Sequence, residues 1–288
     1  MKFLRLVTLV LFFSILFFGK IFFANAFAVS PLGYTLTIDP GKSQTATILI
    51  ENNEWVKHSY EISVESLRVS EEGRRLYLKN FDPAESWVAV SPATFSLARG
   101  AQKTVSFKIS VPRDQQPGSR SLVLMVASLP PNGQTIGLTA KSAVPIFLVV
   151  SGVVKENIII NRWQASKSLI FDHKIPLAIE VYNNGTINTE VHGRVTVIDS
   201  GGRKILDENV RFGSSIFPDS ARRLAPVISL ADWTWPGKYR VRLDIQYGVS
   251  KTAASAETEI WYLPAPLIFI VFCSLIIVMG IVLWLRKK

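Results

Sequence analysis

Long stretches of this chain alternate between apolar and polar residues with a period of two. In "KTVSFKISVP" the residues Val105, Phe107, Ile109 and Val111 alternate with Thr104, Ser106, Lys108 and Ser110. In "GKYRVRLDIQYG" Tyr239, Val241, Leu243, Ile245 and Tyr247 alternate with Lys238, Arg240, Arg242, Asp244 and Gln246. Such a period buries one face of an extended segment and leaves the other wet. Strand-sized segments recur near 44–52, 59–66, 104–111, 119–129, 141–150, 175–183, 189–199, 237–247 and 255–261. Turn signals separate them, among them Asp39-Pro40-Gly41, Pro117-Gly118, Asn183-Asn184-Gly185, Gly201-Gly202 and Pro236-Gly237. No helical stripe of useful length lies between the two ends, so the expected fold is all-β.

The pattern changes at both termini. From Pro264 to Leu285 no residue is charged and no amphipathic gap appears. At about 1.5 Å per residue this run makes a helix of about 33 Å, enough to cross a hydrocarbon core of about 30 Å. Trp261 and Tyr262 precede it, Trp284 stands at its end, and Arg286, Lys287 and Lys288 follow. Aromatic borders and a basic stub predict a transmembrane helix over 263–285 with the tail 286–288 in the cytoplasm. At the other end Lys2 and Arg5 precede the apolar run Leu6–Phe18, and Ala24-Asn25-Ala26 offers a small-x-small site. This predicts a signal peptide over 1–26. Cleavage falls after Ala26 or Ala28, or the segment is retained, since Lys20 interrupts it. The expected arrangement is a single-pass membrane protein with its body outside.

The body between these ends, about 235 residues, suits two sandwich domains of about 115. It also repeats itself. "GKSQTATILIENNEWVKHSYEISVES" and "HKIPLAIEVYNNGTINTEVHGRVTVID" share an order of strand, paired-Asn turn and strand. "QQPGSRSLVLMVAS" and "TWPGKYRVRLDIQYG" each put Pro-Gly, the pair a type II turn requires, before a long strand. The expected plan is two tandem immunoglobulin-like β-sandwiches over 29–150 and 151–262, without a flexible linker and with a short stiff stem at Leu263–Pro266.

Topology changes what the charge means. The formal net charge is +10. Lys2, Arg5 and Lys20 belong to the signal segment, and Arg286, Lys287 and Lys288 to the tail, so the exported body keeps +4. That is an ordinary surface excess without a run of five like charges, and nucleic acid is not an expected partner. The one cysteine, Cys273, lies in the apolar helix, so the body has no disulfide, thiolate metal site or thiol nucleophile. A cysteine-free exported protein of this size fits a bacterial or archaeal surface better than a small secreted animal domain.

Candidate chemistry is sparse. His58, His173 and His192 lack metal-ligand spacing and read as structural. No nucleophile elbow, zinc-protease, phosphate-loop or calcium-loop motif is present, so neither cofactor nor catalysis is expected. In "SEEGRRLY" Glu71 and Glu72 with Arg74 and Arg75 surround Gly73 as a charged hairpin tip. Asn184-Gly185-Thr186 matches a glycosylation sequon but reads first as a hairpin turn. Trp233 and Trp235 in "LADWTWPGKY" fall out of phase with the next strand. Each is a partner-contact candidate or a plug for the end of the sandwich, and Trp55 and Trp87 share that ambiguity.

A resemblance enters on "FAVSPLGYTLTIDPGKSQTATILIENNEW", "FSLARGAQKTVSFKISVPRDQQPGSRSLVLMVAS" and the terminal span with its basic tail. Pro40-Gly41-Lys42 with Gln44, the pair Asn52-Asn53, and the run from Val111 to Gly118 resemble the WxL-interacting protein family. Those are surface proteins with a signal peptide, two immunoglobulin-like domains and a C-terminal anchor. The resemblance implies an outer unit facing the cell wall and an inner unit facing a surface protein. A fainter likeness is to the N-terminal domains of pilus chaperones. The expected function is therefore non-catalytic binding to cell-wall polymer or a partner surface protein. The alternative is an anchored accessory subunit of a secretion, pilus or transport complex, and the third class, less favoured, is a hydrolase built from noncontiguous carboxylates.

Overall fold

A computed structural model describes residues 27–129, 139–213, 215–231, 234–249 and 251–286. The expected signal segment 1–26 lies outside these residues, as do Trp233, Lys287 and Lys288. The described residues form nineteen strands, one 3-10 turn over Pro83–Trp87, and one helix, α1, over Ala265–Arg286. Each of the nine segments chosen by alternation is a strand.

Four sheets form two sandwiches. In the first, β1 (Ala28–Ser30), β3 (Ser43–Glu51), β8 (Gln102–Ser110) and β6 (Val88–Ser91) make one sheet in the order β1-β3-β8-β6. The facing sheet runs β2-β10-β9-β4-β5, from β2 (Tyr34–Ile38), β10 (Lys141–Val150), β9 (Gly118–Leu129), β4 (His58–Val69) and β5 (Arg75–Leu78), with β7 (Thr94–Leu97) also paired to β4. The alternation explains the core. Val105, Phe107 and Ile109 of β8 meet Leu122, Leu124, Ile146 and Leu148 between the sheets, all essentially inaccessible.

The second sandwich repeats this plan. One sheet contains β11 (Ile158–Ala165), β13 (Lys174–Asn183) and β16 (Ser220–Leu224), with β17 (Val227–Ser229) on β13. The other, which we call sheet D, runs β12-β19-β18-β14-β15, from β12 (Leu169–Ile170), β19 (Thr252–Tyr262), β18 (Gly237–Tyr247), β14 (Val191–Asp199) and β15 (Lys204–Arg211). Tyr239, Val241, Leu243 and Ile245 face Ile175, Leu177, Ile179 and Val181 in the core. The duplication extends to the entry strands. β1 runs antiparallel to β3 and β2 then crosses over to lie parallel to β10. Likewise β11 runs antiparallel to β13 and β12 lies parallel to β19.

Two local expectations are corrected. The paired-Asn segments are not hairpin turns, because β3 and β4, like β13 and β14, lie in different sheets. Each segment is an arch across the sandwich, held by a buried asparagine side chain. Nor is Pro117-Gly118 a type II turn, since Gly118 has φ +151° rather than the about +80° of that turn. Gly118 is needed for space: a Cβ there would lie 2.5 Å from the carbonyl oxygen of Thr186.

α1 is 22 residues long, has no buried residue, and carries Arg286 in its last turn. It is long and apolar enough to cross a membrane. Its start is not a free stem. The N–H groups of Leu263 and Ala265 donate to the carbonyls of Ile170 and Phe171, both at 2.9 Å.

Candidate functional site

The two sandwiches meet along a polar seam. The N–H of Ser119 donates to Thr186 O at 2.8 Å, and Asn188 donates from N to Ser119 Oγ at 3.1 Å and from Nδ2 to Ser121 Oγ at 3.3 Å. Arg68 reaches from β4 to the carbonyls of Pro218 and Asp219 at 3.3 Å each. The tip "SEEGRR" then closes over the edge strand β16, where Arg223 N donates to Glu71 O at 2.7 Å. The guanidinium of Arg223 also meets the Glu71 carboxylate at 2.8 Å. The charged hairpin tip thus has its partner in the other sandwich, which no local pattern could show.

Beside Arg223, Arg222 is only 5% exposed and its Nη1 sits against Gly73 of the same tip. Burial pushes its pKa down, and its Nε has no partner among the described residues. Phe147 and Phe217 add an edge-on ring contact across the seam at 6.4 Å. On one flank of the seam lies an apolar groove of about 380 Å³, lined by Leu67, Val69, Phe147, Val149, Ile187 and Phe217. On the other flank a recess of about 350 Å³ is polar, with Arg68, Asp82, Arg120 and Asp219 on its walls.

Next to the groove, β10 carries an incomplete edge. All ten of its residues pair with β9, but β2 covers only Ile146–Val150 on the other side. Ser128 N donates to Ala140 O at 2.9 Å, so 140 and its alternate residues 142 and 144 turn their backbone groups toward β9. Lys141, Ala143 and Pro145 therefore turn theirs outward. Among the described residues no strand pairs with this half of the edge. Pro145, which has no N–H, is tolerated because its nitrogen faces away from the ladder.

The aromatic candidates separate. Trp235 is 78% exposed, and Tyr239 Oη donates to its carbonyl at 2.5 Å, so it is no core plug. Trp233 lies outside the described residues. Trp87 packs on the first core, while Trp55 is exposed beneath the guanidinium of Arg99, 3.9 Å from its ring centre. The tryptophan packed against the second core is Trp163, partly buried on β11, which the sequence did not single out. Its Nε1 donates to Val241 O at 3.1 Å.

His58 and His173 serve packing, while His192 is exposed on β14. His58 Nε2 meets Glu54 at 2.8 Å and its Nδ1 lies 3.1 Å from Ser128 Oγ. His173 Nδ1 lies 2.8 Å from Tyr262 Oη. Among the described residues no group of three potential metal ligands converges. The sequon is part of the second arch, where Gly185 is buried and Thr186 Oγ1 accepts from Lys155 N at 2.9 Å.

No protein-family model matches the chain and no curated protein is similar to it in sequence. Solved structures do align over most of it. The class 5 fimbriae chaperone CfaA is 15% identical, with 83% of this chain and 100% of that one covered and a TM-score of 0.45. A structure of the chaperone–tip adhesin complex of CFA/I fimbriae gives 14% identity, the same coverage and 0.46. The CsuC–CsuE pre-assembly complex of Acinetobacter baumannii gives 14%, 83% and 99%, and 0.42. At these values the superpositions say nothing of activity. They do correct the resemblance to WxL-interacting proteins, because the matches are fimbrial chaperones. The residues that carried it have general structural duties. Gly41 takes a left-handed turn at φ +77°, Asn52 holds an arch as Asn183 does, and Gly118 makes room at the seam. The cell-wall ligand which that resemblance implied has no support in the fold.

Proposed function

We propose that this chain is a membrane-tethered, non-catalytic accessory subunit of a surface-assembly complex, which holds an extended segment of another exported protein along β10. The observation that carries the reading is the open half of that strand. An incoming strand aligned with β2 would take up the outward N–H and C=O groups of Lys141 and Ala143, the usual chemistry of strand addition. Phe147 and Val149 on the same strand line the apolar groove, so side chains of the guest have an apolar surface beside the ladder. α1 supplies the tether, and the seam holds both sandwiches as one platform.

The test is a photo-crosslinking residue at Lys141, introduced in cells. A discrete adduct with one exported protein is expected, and Ala143→Pro should abolish it with little change in thermal stability. Proline at 143 removes an outward N–H and leaves the β9 ladder intact. No adduct at 141, or adducts equally frequent from Lys108 on the opposite sheet, would count against the reading.

A further inference from the structure

The ends of the strands of sheet D from which α1 leaves form one surface. Phe171 follows β12, Ala265 follows β19 and Trp235 precedes β18. Phe171 is 46% exposed and Trp235 78%. Single exposed rings are ordinary, but aromatic rings gathered at one end of a domain beside an exposed apolar helix form the kind of patch that marks a contact surface.

Their position follows from the helix and the ladder. A 22-residue helix of about 33 Å barely exceeds a hydrocarbon core of about 30 Å, so its first turn marks the core's boundary when it spans. The headgroup layer beyond is roughly 5–7 Å thick. The carbonyl of Phe171 is bonded to the N–H of the first helical residue, Ala265, and so must lie in that layer. Gly237 stands opposite Tyr262 in an antiparallel pair. The ladder ends at this pair, and Trp235 and Pro264 each lie two residues beyond it, so Trp235 leaves the sandwich at the same end as α1.

We propose that this end of the second sandwich is a membrane-binding surface, with the rings of Phe171 and Trp235 seated among lipid headgroups. The proposal rests on the reading that α1 spans a membrane. Indole and phenyl rings favour that zone because it offers apolar contact beside water and polar headgroups. Charge has a smaller share. Lys204 is paired with Asp207 at 2.8 Å and Lys238 with Glu259 at 2.7 Å, so these two add little net charge; Lys167 and Lys174 flank the recess beside Phe171 and add attraction to anionic lipid, while the rings suffice on zwitterionic lipid. Seating this end on the bilayer fixes the height of the whole platform and keeps β10 from lying down on the membrane.

The full chain is reconstituted in phosphatidylcholine vesicles with nitroxide-bearing lipids and labelled with a fluorophore at single cysteines. Native Cys273 reports whether α1 is in the bilayer. In a Cys273→Ala background, Pro236→Cys, exposed beside Trp235 and leaving both rings in place, reports the proposed surface and Trp55→Cys, in the first sandwich, the distance control. Expected results are quenching at Cys273 by nitroxide deep in the acyl chains, and quenching at 236 by headgroup nitroxide several-fold above that at 55. Quenching at Cys273 with 236 no more quenched than 55 overturns the membrane surface while the span stands. An unquenched Cys273 overturns the span, and the surface with it. Quenching at 236 without phosphatidylglycerol is expected; quenching at 236 only in anionic vesicles would refute the aromatic basis.

Discussion

Glu71 and Arg223 join the two sandwiches twice, once through backbone and once through side chains. The main-chain bond from Arg223 N to Glu71 O makes the hairpin tip of one sandwich a short extension of the other's edge strand. The carboxylate–guanidinium contact lies outside it, and Arg223 also pairs with Glu180 of its own sandwich at 3.0 Å. About half of each seam side chain is exposed, at 48% and 46%. An exposed ion pair of this kind stabilises by about 0–1 kcal/mol.

Arg223→Ala should therefore leave global stability within about 1 kcal/mol of the parent but loosen the seam. Spin labels on the two sandwiches, read by pulsed distance measurement, should show a broader distribution. An unchanged distribution would mean that Arg68 and Asn188 hold the angle without help.

Asn52 and Asn183 are a second repeated device. Asn52 Nδ2 donates to Val56 O and Leu97 O, and its Oδ1 accepts from Glu54 N. Asn183 Nδ2 donates to Ile187 O and Ile216 O, and its Oδ1 accepts from Gly185 N. Both are fully buried. Replacement of either by Ala takes a partner from three backbone groups, of which Ile216 O keeps the N–H of Thr189 at 3.0 Å, at about 1–3 kcal/mol for each one left without any partner or water. Asn52→Ala and Asn183→Ala should each destabilise by about 2–5 kcal/mol, each acting on its own sandwich. Urea unfolding followed by tryptophan fluorescence would measure this, and a loss below 1 kcal/mol in either would show that water replaces the side chain.

These asparagines also show how far sequence reading reaches. Alternation identified β8 and β18 because the burial of each residue there depends only on its own strand. The repeat around the Asn pairs was visible for the same reason. Whether those pairs turn a hairpin or cross a sandwich depends on which strands pair, and nothing local encodes that. Short strands escaped for a related reason: β16, "SARRL", has two arginines whose surroundings come from the other sandwich. The open edge of β10 was likewise invisible, since an edge is defined by a neighbour that stops. Trp235 could be flagged as out of phase, but its exposure and its place at the α1 end needed the ladder between β18 and β19.

Gly118 tests the seam from its other end. A methyl group there would sit 2.5 Å from Thr186 O and 3.3 Å from Thr186 Cβ. The first contact is with backbone, so the arch must move and the bond from Ser119 N to Thr186 O must stretch. Gly118→Ala should cost about 1–3 kcal/mol and raise amide exchange at Ser119 and Thr186 specifically. Exchange that rises evenly across the first sandwich would point to damage within β9 instead.

Glu85 holds Ser66, Phe81 and Asp82 on the wall of the polar recess, so the recess should respond to pH through this carboxyl. Burial would raise the pKa of this carboxyl, but Ser66 Oγ at 2.6 Å and the N–H groups of Phe81, Asn80 and Asp82 at 2.9, 2.8 and 3.2 Å outweigh it. The net result is a pKa held below the ordinary glutamate value of 4.5. A group whose folded pKa is depressed stabilises fully above its unfolded value, and that contribution disappears as pH falls through the folded value. The stabilisation should thus be complete at neutral pH and begin to decline below about pH 4.5. Protonation removes an acceptor from the amides of Asn80, Phe81 and Asp82, next to the Arg68 contact across the seam. Amide exchange at these three positions should therefore accelerate on acidification more than in the second sandwich. Glu85→Gln keeps one carbonyl acceptor and cannot titrate, so it should be less stable than the parent at neutral pH, with the difference shrinking toward pH 3. A difference between parent and Glu85→Gln that stays constant from pH 7 to pH 3 would remove Glu85 from the pH response and leave it a structural cap alone.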